Sequence, residues 1–172
     1  MAKVLFQGNP IMTYGNMPLK GERAREFSLI KSDLSEITLD DFKGRMIVLN
    51  IFPSIDTSVC AASVRKFNEI VSKLDNTVVL CVSMDLPFAH KRFCAAEGLQ
   101  NVITASAFRN PEFGKNYGCL ITENPFKGLF ARAVAVIDTE QIIRMAEFVP
   151  EIGHEPNYQD VINVVNKYLK KA

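Results

Sequence analysis

The chain carries in direct succession the apolar run RMIVLNIF (residues 45–52), the segment SVCAASVRKFNEIVSKL (58–74) and the apolar run TVVLCVSM (77–84). Each apolar run has the length and the β-branched content of a buried strand. In the segment between them Val64, Phe67 and Val71 recur at helical spacing, which predicts a helix with one buried face. Strand, helix and strand in this order predict a parallel βαβ unit.

The flanking sequence extends this unit in both directions. A second helix over 88–97, ended by Gly98, and a strand over 102–105 continue the alternation. The remaining predicted elements are a hairpin with strands 4–6 and 11–14 around a turn at 8–10, strands 27–30 and 37–39, a hairpin with strands 131–137 and 142–148, and a helix over 157–169 with Lys167, Lys170 and Lys171 at its negative end. The predicted fold class is α/β, a central mixed sheet flanked by helices with an N-terminal β-hairpin extension.

Length and composition predict a single domain over residues 1–172, with the hairpin in residues 1–15. Of the 172 residues 48% are hydrophobic and 23% charged, which excludes a chain disordered throughout. The net charge of +1 provides no overall field to attract nucleic acid or an anionic membrane. The longest apolar runs are far shorter than the ~18 residues of a membrane span, and the N-terminus lacks the apolar core of a secretory signal. We therefore expect a cytoplasmic protein without nucleic-acid or membrane partners, although a leader removed before residue 1 would leave the periplasm open.

Four cysteines are the next informative residues: Cys60, Cys81, Cys94 and Cys119. Their spacing fits neither a disulfide-stapled small domain nor a zinc site, and His90 and His154 form no Cys/His cluster with them. We expect both histidines at the surface, and we predict no metal and no cofactor. Three acidic residues that follow predicted strands are expected in turns and caps rather than as metal ligands: Asp56, Asp85 and Asp138.

Cys60 lies where a predicted strand gives way to a predicted helix, four residues before Val64 on the apolar stripe. There the unpaired backbone N–H groups and the positive end of the helix dipole favour a thiolate over a thiol. Thr57 carries a hydroxyl that could bond the sulfur or a substrate oxygen, and Pro53 shapes the turn out of the strand. Position alone leaves two interpretations open, a reactive cysteine and a small buried side chain.

The pattern P-x-x-x-T-x-x-C on a strand-to-helix turn resembles the peroxidatic site of the peroxiredoxins. A longer match, to the bacterial thiol peroxidase branch of atypical two-cysteine peroxiredoxins, covers essentially the whole chain. It consists of FQGNP (6–10), NIFPSIDT (50–57), VCAASVRKFN (59–68), RFC (92–94), EGL (97–99), NVIT (101–104), KGL (127–129) and ARAV (131–134). The resemblance implies a thioredoxin-like fold, which the alternation of strands and helices does not by itself distinguish from a flavodoxin-like one.

The resemblance also implies roles for the matched residues. Cys60 is implied as the peroxidatic nucleophile that becomes a sulfenic acid, with Thr57 orienting sulfur and peroxide and Pro53 shielding the site from water. Arg132 matches the family's active-site arginine, whose positive charge would stabilise the thiolate and the charge that develops on the peroxide. The alternative for Arg132 is a salt-bridged arginine at the start of a strand.

Cys94 matches the resolving cysteine, so the resemblance implies an intramolecular Cys60–Cys94 disulfide that thioredoxin reduces. A disulfide needs Cα atoms within about 7 Å, and two cysteines on separate helices can start farther apart. We therefore expect both helices to unwind locally in each cycle. The resemblance further implies a homodimer, and as substrates hydrogen peroxide and organic hydroperoxides, with a preference for alkyl hydroperoxides.

Two other functions stay open. The segment CAAS (60–63) has the C-x-x-S spacing of a monothiol glutaredoxin-like oxidoreductase, although the other matched residues weigh against it. A redox sensor, in which oxidation of Cys60 changes the binding of a partner, is the second. Of the remaining cysteines, Cys81 is expected to be an inert core thiol. Cys119, which has no role in the family's pattern, is expected to pack in the interior.

Overall fold

The computed structural model describes residues 1–169. In this range the strands are β1 (Lys3–Phe6), β2 (Asn9–Met12), β3 (Ser28–Lys31), β4 (Glu36–Thr38), β5 (Met46–Ile51), β6 (Thr77–Ser83), β7 (Ile103–Ser106), β8 (Ala133–Ile137) and β9 (Ile143–Phe148). The helices are α1 (Ser58–Val71), α2 (Pro87–Glu97), α3 (Glu112–Asn116) and α4 (Tyr158–Leu169), and Leu39–Phe42 form a 3₁₀ helix. Across these 169 residues the structure contains no helix that is both long and apolar enough to span a membrane.

Seven strands form one mixed sheet in the order β4-β3-β7-β6-β5-β8-β9. The three strands β5, β6 and β7 are parallel to one another, and the other neighbours pair antiparallel. Strands β1 and β2 form a separate two-stranded hairpin. The predicted mixed sheet with an N-terminal hairpin is confirmed.

Two hydrophobic layers cover the two faces of the sheet. One layer contains the apolar sides of α1 and α4, where Val64, Phe67 and Val165 are fully buried. The other layer contains the 3₁₀ helix and α3, with Leu39 and Phe113 at its centre. Burial of such a side chain contributes roughly 1.5–3 kcal/mol. Because both faces are covered, every residue of β5, β6 and β8 is buried, and these strands give the loops at their ends a rigid support.

The structure differs from the predicted elements in small ways. The 3₁₀ helix and the five-residue helix α3 were not predicted, because both are too short to show a period. The turn of the N-terminal hairpin is formed by Gln7 and Gly8, while Asn9 and Pro10 belong to β2 and pair with β1. Helix α2 ends at Gly98 in the left-handed conformation, as predicted. Lys167 lies in the last turn of α4, whereas Lys170 and Lys171 lie outside the described residues.

Candidate active site around Cys60

Cys60 lies in the first turn of α1, just beyond the carboxyl end of β5. Thr57 is the N-cap of this helix, with extended backbone (φ −95°, ψ 146°) and a hydroxyl oxygen that accepts the Cys60 N–H at 3.4 Å. The same hydroxyl donates its hydrogen to the carbonyl oxygen of Ser54 at 3.1 Å. Thr57 therefore holds the turn, and its hydrogen is not directed at the sulfur. Cys60 itself is 0% exposed and faces inward, as its spacing predicts.

Arg132, the residue just before β8, contacts the sulfur of Cys60. Its Nη2 donates to Cys60 Sγ at 3.2 Å, and its Nε donates to the carbonyl oxygen of Ile152 at 2.9 Å. The arginine is 1% exposed, and Nη1 has no hydrogen-bond partner within residues 1–169. The guanidinium thus places a positive charge next to the sulfur, and its buried Nη1 donor is available to an oxygen ligand. Arg132 therefore contacts Cys60 and Ile152, and among residues 1–169 it forms no ion pair of the kind that the alternative requires.

A cavity of about 140 Å³ opens beside Arg132 and the three residues that precede Cys60. Its lining comprises Phe6, Pro53, Thr57, Ser58, Val59, Phe126, Arg132, Ile152 and Gly153. Phe6 and Phe126 pack edge to face with ring centroids 4.7 Å apart. The predicted Pro53, Thr57 and Arg132 are therefore brought together in the wall of a largely apolar cavity.

The N-terminal hairpin forms part of the cavity wall. The Leu5 N–H donates to the carbonyl oxygen of Pro150 at 2.7 Å, and the Ile152 N–H donates to the carbonyl oxygen of Leu5 at 2.8 Å. These two bonds place Phe6 over the site. Sequence reasoning did not identify Phe6, Phe126 or Ile152 as lining residues, since only the tertiary closure of three distant segments brings them to Cys60.

Cys94 lies on α2, half-buried, away from this cavity. Burial raises the pKa of its thiol, against a smaller lowering effect of the hydroxyl of Thr104 on β7. All four cysteines are free in the structure. Cys94 therefore stands as a neutral thiol beside β7, with no bond to Cys60.

The two cysteines lie on different helices and near different strands. Cys94 on α2 is close to the hydroxyl of Thr104 on β7. The backbone carbonyl oxygen of Cys60 on α1 accepts the hydroxyl of Ser63, and the Ser63 oxygen accepts the side-chain amide of Asn50 on β5. The two cysteines are not bonded to each other in this conformation.

The other two cysteines are core residues. Cys81 and Cys119 are both 0% exposed. Burial raises the pKa of the Cys81 thiol to about 12, despite a lowering contact with the Asn50 amide, and burial also raises the pKa of Cys119 strongly. Both thiols are therefore protonated at neutral pH, as expected for packing residues.

The prediction for one histidine is wrong. His154 is exposed, as expected, but His90 is 0% exposed and its Nε2 lies 2.9 Å from the hydroxyl oxygen of Ser83. The apolar residues of α2, Phe88, Ala89 and Phe93, do not form a continuous stripe, so periodicity could not identify the buried side of this helix.

Of the three singled-out aspartates, Asp138 has the predicted role in a turn, whereas Asp56 forms a surface ion pair. Asp138 accepts the backbone N–H groups of Glu140 and Ile142 in the β8–β9 turn, and Asp56 forms an ion pair with Arg92. Within residues 1–169 no three His, Cys, Asp or Glu side chains are grouped as metal ligands.

Asp85 has the most perturbed carboxyl of the three. Burial acts to raise its pKa, but the nearby His90 ring and hydrogen bonds from Ser83, the Ile55 N–H and Ser54 outweigh this and lower it to about 2. Asp85 is therefore a carboxylate throughout the neutral range.

The comparisons with known proteins agree with this geometry. The Redoxin family model matches residues 19–162. The chain is 49% identical over 166 residues to a thiol peroxidase of Corynebacterium glutamicum, covering 96% of this chain and 100% of that protein. It is 51% identical over 159 residues to a thiol peroxidase of Mycobacterium bovis, covering 92% of this chain and 95% of that protein.

Solved structures support the same assignment. A peroxiredoxin-like protein from Aquifex aeolicus superimposes with a TM-score of 0.92 at 43% identity, covering 96% of each chain. The thioredoxin-like fold implied by the resemblance is thereby confirmed, and a peroxidase is favoured over the glutaredoxin-like and sensor alternatives. The chain therefore belongs to the Redoxin family, as a peroxiredoxin of the bacterial thiol peroxidase type that reduces peroxide at a thiol.

Proposed function

We propose that the chain reduces hydrogen peroxide and organic hydroperoxides with Cys60 as the peroxidatic and Cys94 as the resolving cysteine. The single observation that carries this proposal is the 3.2 Å contact between Arg132 Nη2 and Cys60 Sγ at the start of a helix, beside a cavity. The helix N-terminus and the guanidinium both favour a thiolate there. An ionised sulfur next to an unused buried donor is suited to attack a peroxide.

In the first step the Cys60 thiolate attacks the terminal oxygen of the peroxide. The O–O bond breaks as the S–O bond forms, so sulfur is oxidised to a sulfenic acid and hydroxide or alkoxide leaves. The leaving oxygen takes up from solvent the equivalent of the proton that Cys60 lost on ionisation and becomes water or an alcohol. Arg132 Nη1 is available to the peroxide oxygens as their charge develops. Pro53 and the rings over the cavity exclude water, and Thr57 holds the turn that aims the sulfur.

In the second step the Cys94 thiol attacks the sulfenic sulfur. An S–S bond forms, the S–O bond breaks, and water leaves. Because Cys60 and Cys94 lie unbonded on separate helices, we expect the start of α1 and the helix α2 to unwind locally before this step. A dithiol protein of the thioredoxin class then reduces the Cys60–Cys94 disulfide and is itself oxidised.

We further propose a cytoplasmic homodimer in which residues 1–172 form a single domain. The contribution of Phe6 to the cavity supports the inclusion of the hairpin in this domain. The four free cysteines fit a reducing compartment. Sedimentation of the purified chain tests the dimer directly.

Thiol mapping by mass spectrometry tests the two cysteine roles. After one equivalent of cumene hydroperoxide, we expect a Cys60–Cys94 disulfide in the native chain and a trapped sulfenic acid on Cys60 in Cys94→Ser. Cys60→Ser is expected to consume no peroxide, whereas Cys81→Ala, which alters a buried thiol, is expected to form the same disulfide as the native chain. Reduced Cys60 after treatment, or a disulfide to Cys81 or Cys119, would refute the assignment and favour a sensor.

The apolar cavity predicts a preference among peroxides. We expect Phe6→Ala to lower kcat/KM for cumene hydroperoxide by about tenfold, because it removes apolar surface that an organic substituent would contact. The value for hydrogen peroxide, which has no such substituent, should change by less than about twofold. Steady-state kinetics with both peroxides measures the ratio. The matched control is Phe88→Ala, which removes a ring that is 64% exposed. An equal loss for both peroxides in Phe6→Ala would contradict a role in selectivity.

A further inference from the structure

A buried hydrogen-bonded group lies at the carboxyl end of β6, outside the cavity at Cys60. The hydroxyl of Ser83 donates to Asp85 Oδ2 at 2.6 Å, and its oxygen lies 2.9 Å from His90 Nε2. Because the carboxylate is the stronger acceptor for the single hydroxyl hydrogen, the ring hydrogen of His90 is placed on Nε2 and donated to Ser83. His90 is 0% exposed, and its Nδ1 has no partner among residues 1–169.

The same carboxylate holds the turn that precedes Cys60. Asp85 Oδ2 accepts the backbone N–H of Ile55 at 2.7 Å, and Asp85 Oδ1 accepts the hydroxyl of Ser54 at 2.8 Å. The carbonyl oxygen of Ser54 in turn accepts the hydroxyl of Thr57, the N-cap of α1. Asp85 therefore fixes the turn from which the helix of Cys60 begins.

His90 connects this group to the helix that carries Cys94. The two residues are four apart on α2, so they lie on the same side of the helix one turn from each other. Asp85 is anchored in the sheet, because its carbonyl oxygen accepts the hydroxyl of Ser106 on β7 at 2.5 Å. One anchored residue thus links the turn before Cys60 with the helix of Cys94.

We propose that Asp85 and His90 are positioning residues that hold both cysteine-bearing segments closed while Cys60 reacts, and that release them for disulfide formation. The inference rests on the proposed function, since it requires Cys94 to resolve the sulfenic acid. Cys60 and Cys94 lie unbonded on separate helices in the closed form, so both segments move when the two cysteines bond. The bonds of Asp85 to Ser54 and Ile55 and the buried site of His90 are then lost. These bonds stabilise the reduced, closed form relative to the disulfide form.

A surface ion pair between the same two segments provides a matched control. Arg92 Nη2 and Asp56 Oδ1 are 2.9 Å apart, with side chains that are 66% and 65% exposed. Solvent screens such a pair, so it contributes little to the closed form. The bonds to Asp85 are sheltered from solvent and charge-assisted, and their loss has a larger effect.

The test compares Asp85→Asn, His90→Gln and Arg92→Ala in single turnovers with cumene hydroperoxide. The rate of Cys60 oxidation and the rate of the following Cys60–Cys94 disulfide formation are measured separately. In Asp85→Asn we expect disulfide formation to accelerate about tenfold and Cys60 oxidation to slow about threefold, since the segments open more readily and the turn is held less firmly. His90→Gln keeps a donor for Ser83, so we expect it to accelerate disulfide formation only about threefold. In Arg92→Ala we expect both rates to stay within about twofold of those of the native chain.

A redox equilibrium separates this role from a general loss of stability. The Cys60/Cys94 couple compares two folded forms, so a destabilisation common to both leaves its reduction potential unchanged. If Asp85→Asn destabilises the reduced form tenfold relative to the disulfide form, the reduction potential of the Cys60/Cys94 couple becomes about 30 mV more negative.

The proposal is overturned if Asp85→Asn and His90→Gln leave the reduction potential unchanged and if their rates of Cys60 oxidation and disulfide formation equal those of Arg92→Ala. If Asp85→Asn does not fold, His90→Gln and its potential decide the question in the same way. If the proposed function is wrong, the oxidised native chain contains no Cys60–Cys94 disulfide, and this outcome is distinct from unchanged potentials in the variants.

Discussion

Replacement of Arg132 by methionine is expected to lower the rate constant for oxidation of Cys60 by hydrogen peroxide by about 10³-fold. Methionine has a similar length but neither charge nor donors. The variant loses the positive charge 3.2 Å from the sulfur, and with it the Nη1 donor, which has no partner in the described part of the chain. Both losses act on the step in which the O–O bond breaks. The expected effect is therefore on chemistry rather than on binding of an organic substituent.

Arg132→Lys is expected to retain part of this activity, with a loss of about 10²-fold. An ammonium group keeps the charge, but it cannot reproduce the planar fork that bonds Ile152 and Cys60 together. Stopped-flow measurement of sulfenic acid formation in the Cys94→Ser background, which lacks the proposed resolving cysteine, provides the rate constants. Arg109→Met, at an exposed arginine, is the control and should match the native rate. A rate for folded Arg132→Met within about threefold of the native one is incompatible with the proposed role.

The parts of the structure that depend on local pattern could be predicted from the sequence. The apolar spacing around Val64 and Phe67 places α1 between two buried strands, and the same spacing turns Cys60 inward. Gly98 marks the end of α2 because a left-handed residue is needed there. In each case the decisive interaction lies within a few residues along the chain, so it leaves a trace in the sequence.

The walls and supports of the site could not be predicted in this way. Phe6 and Phe126 meet only after the hairpin pairs with the segment around Ile152. His90 is buried by its contact with Ser83, a residue of another element, and nothing in the pattern of α2 indicates that side. The role of Arg132 was available only through the resemblance, since its contact with the sulfur joins residues 72 positions apart.

Gly118→Ala is expected to reduce the free energy of unfolding by more than about 4 kcal/mol. Gly118 has φ +70°, a conformation that a residue with Cβ enters at a cost of about 1–2 kcal/mol. In addition, the new Cβ would overlap the carbonyl carbon and oxygen of Asn16 and lie 2.7 Å from its Cα. Backbone atoms cannot rotate out of the way as a side chain can. The segments around Asn16 and Gly118 would therefore have to separate.

The contacts near Gly118 show why the chain cannot accommodate this separation at low cost. The Tyr14 N–H donates to the carbonyl oxygen of Leu120 at 2.8 Å, and the Ala131 N–H donates to the carbonyl oxygen of Cys119 at 2.8 Å. A displacement of the 118–120 backbone thus strains the N-terminal segment on one side and the residue before Arg132 on the other. Loss of these bonds adds to the steric cost, because buried N–H groups would be left without partners.

Gly98→Ala separates the cost of the left-handed conformation from the cost of the steric overlap with Asn16. Gly98 has φ +66°, but a Cβ there would have no atom within 4 Å, so this variant carries only the conformational cost of about 1–2 kcal/mol. Urea denaturation of the reduced protein, followed by circular dichroism, measures both variants against the native chain. Equal losses in the two variants would show that left-handed strain alone accounts for Gly118. A loss at least twice as large in Gly118→Ala identifies the close approach of Asn16 as the feature that requires glycine at this position.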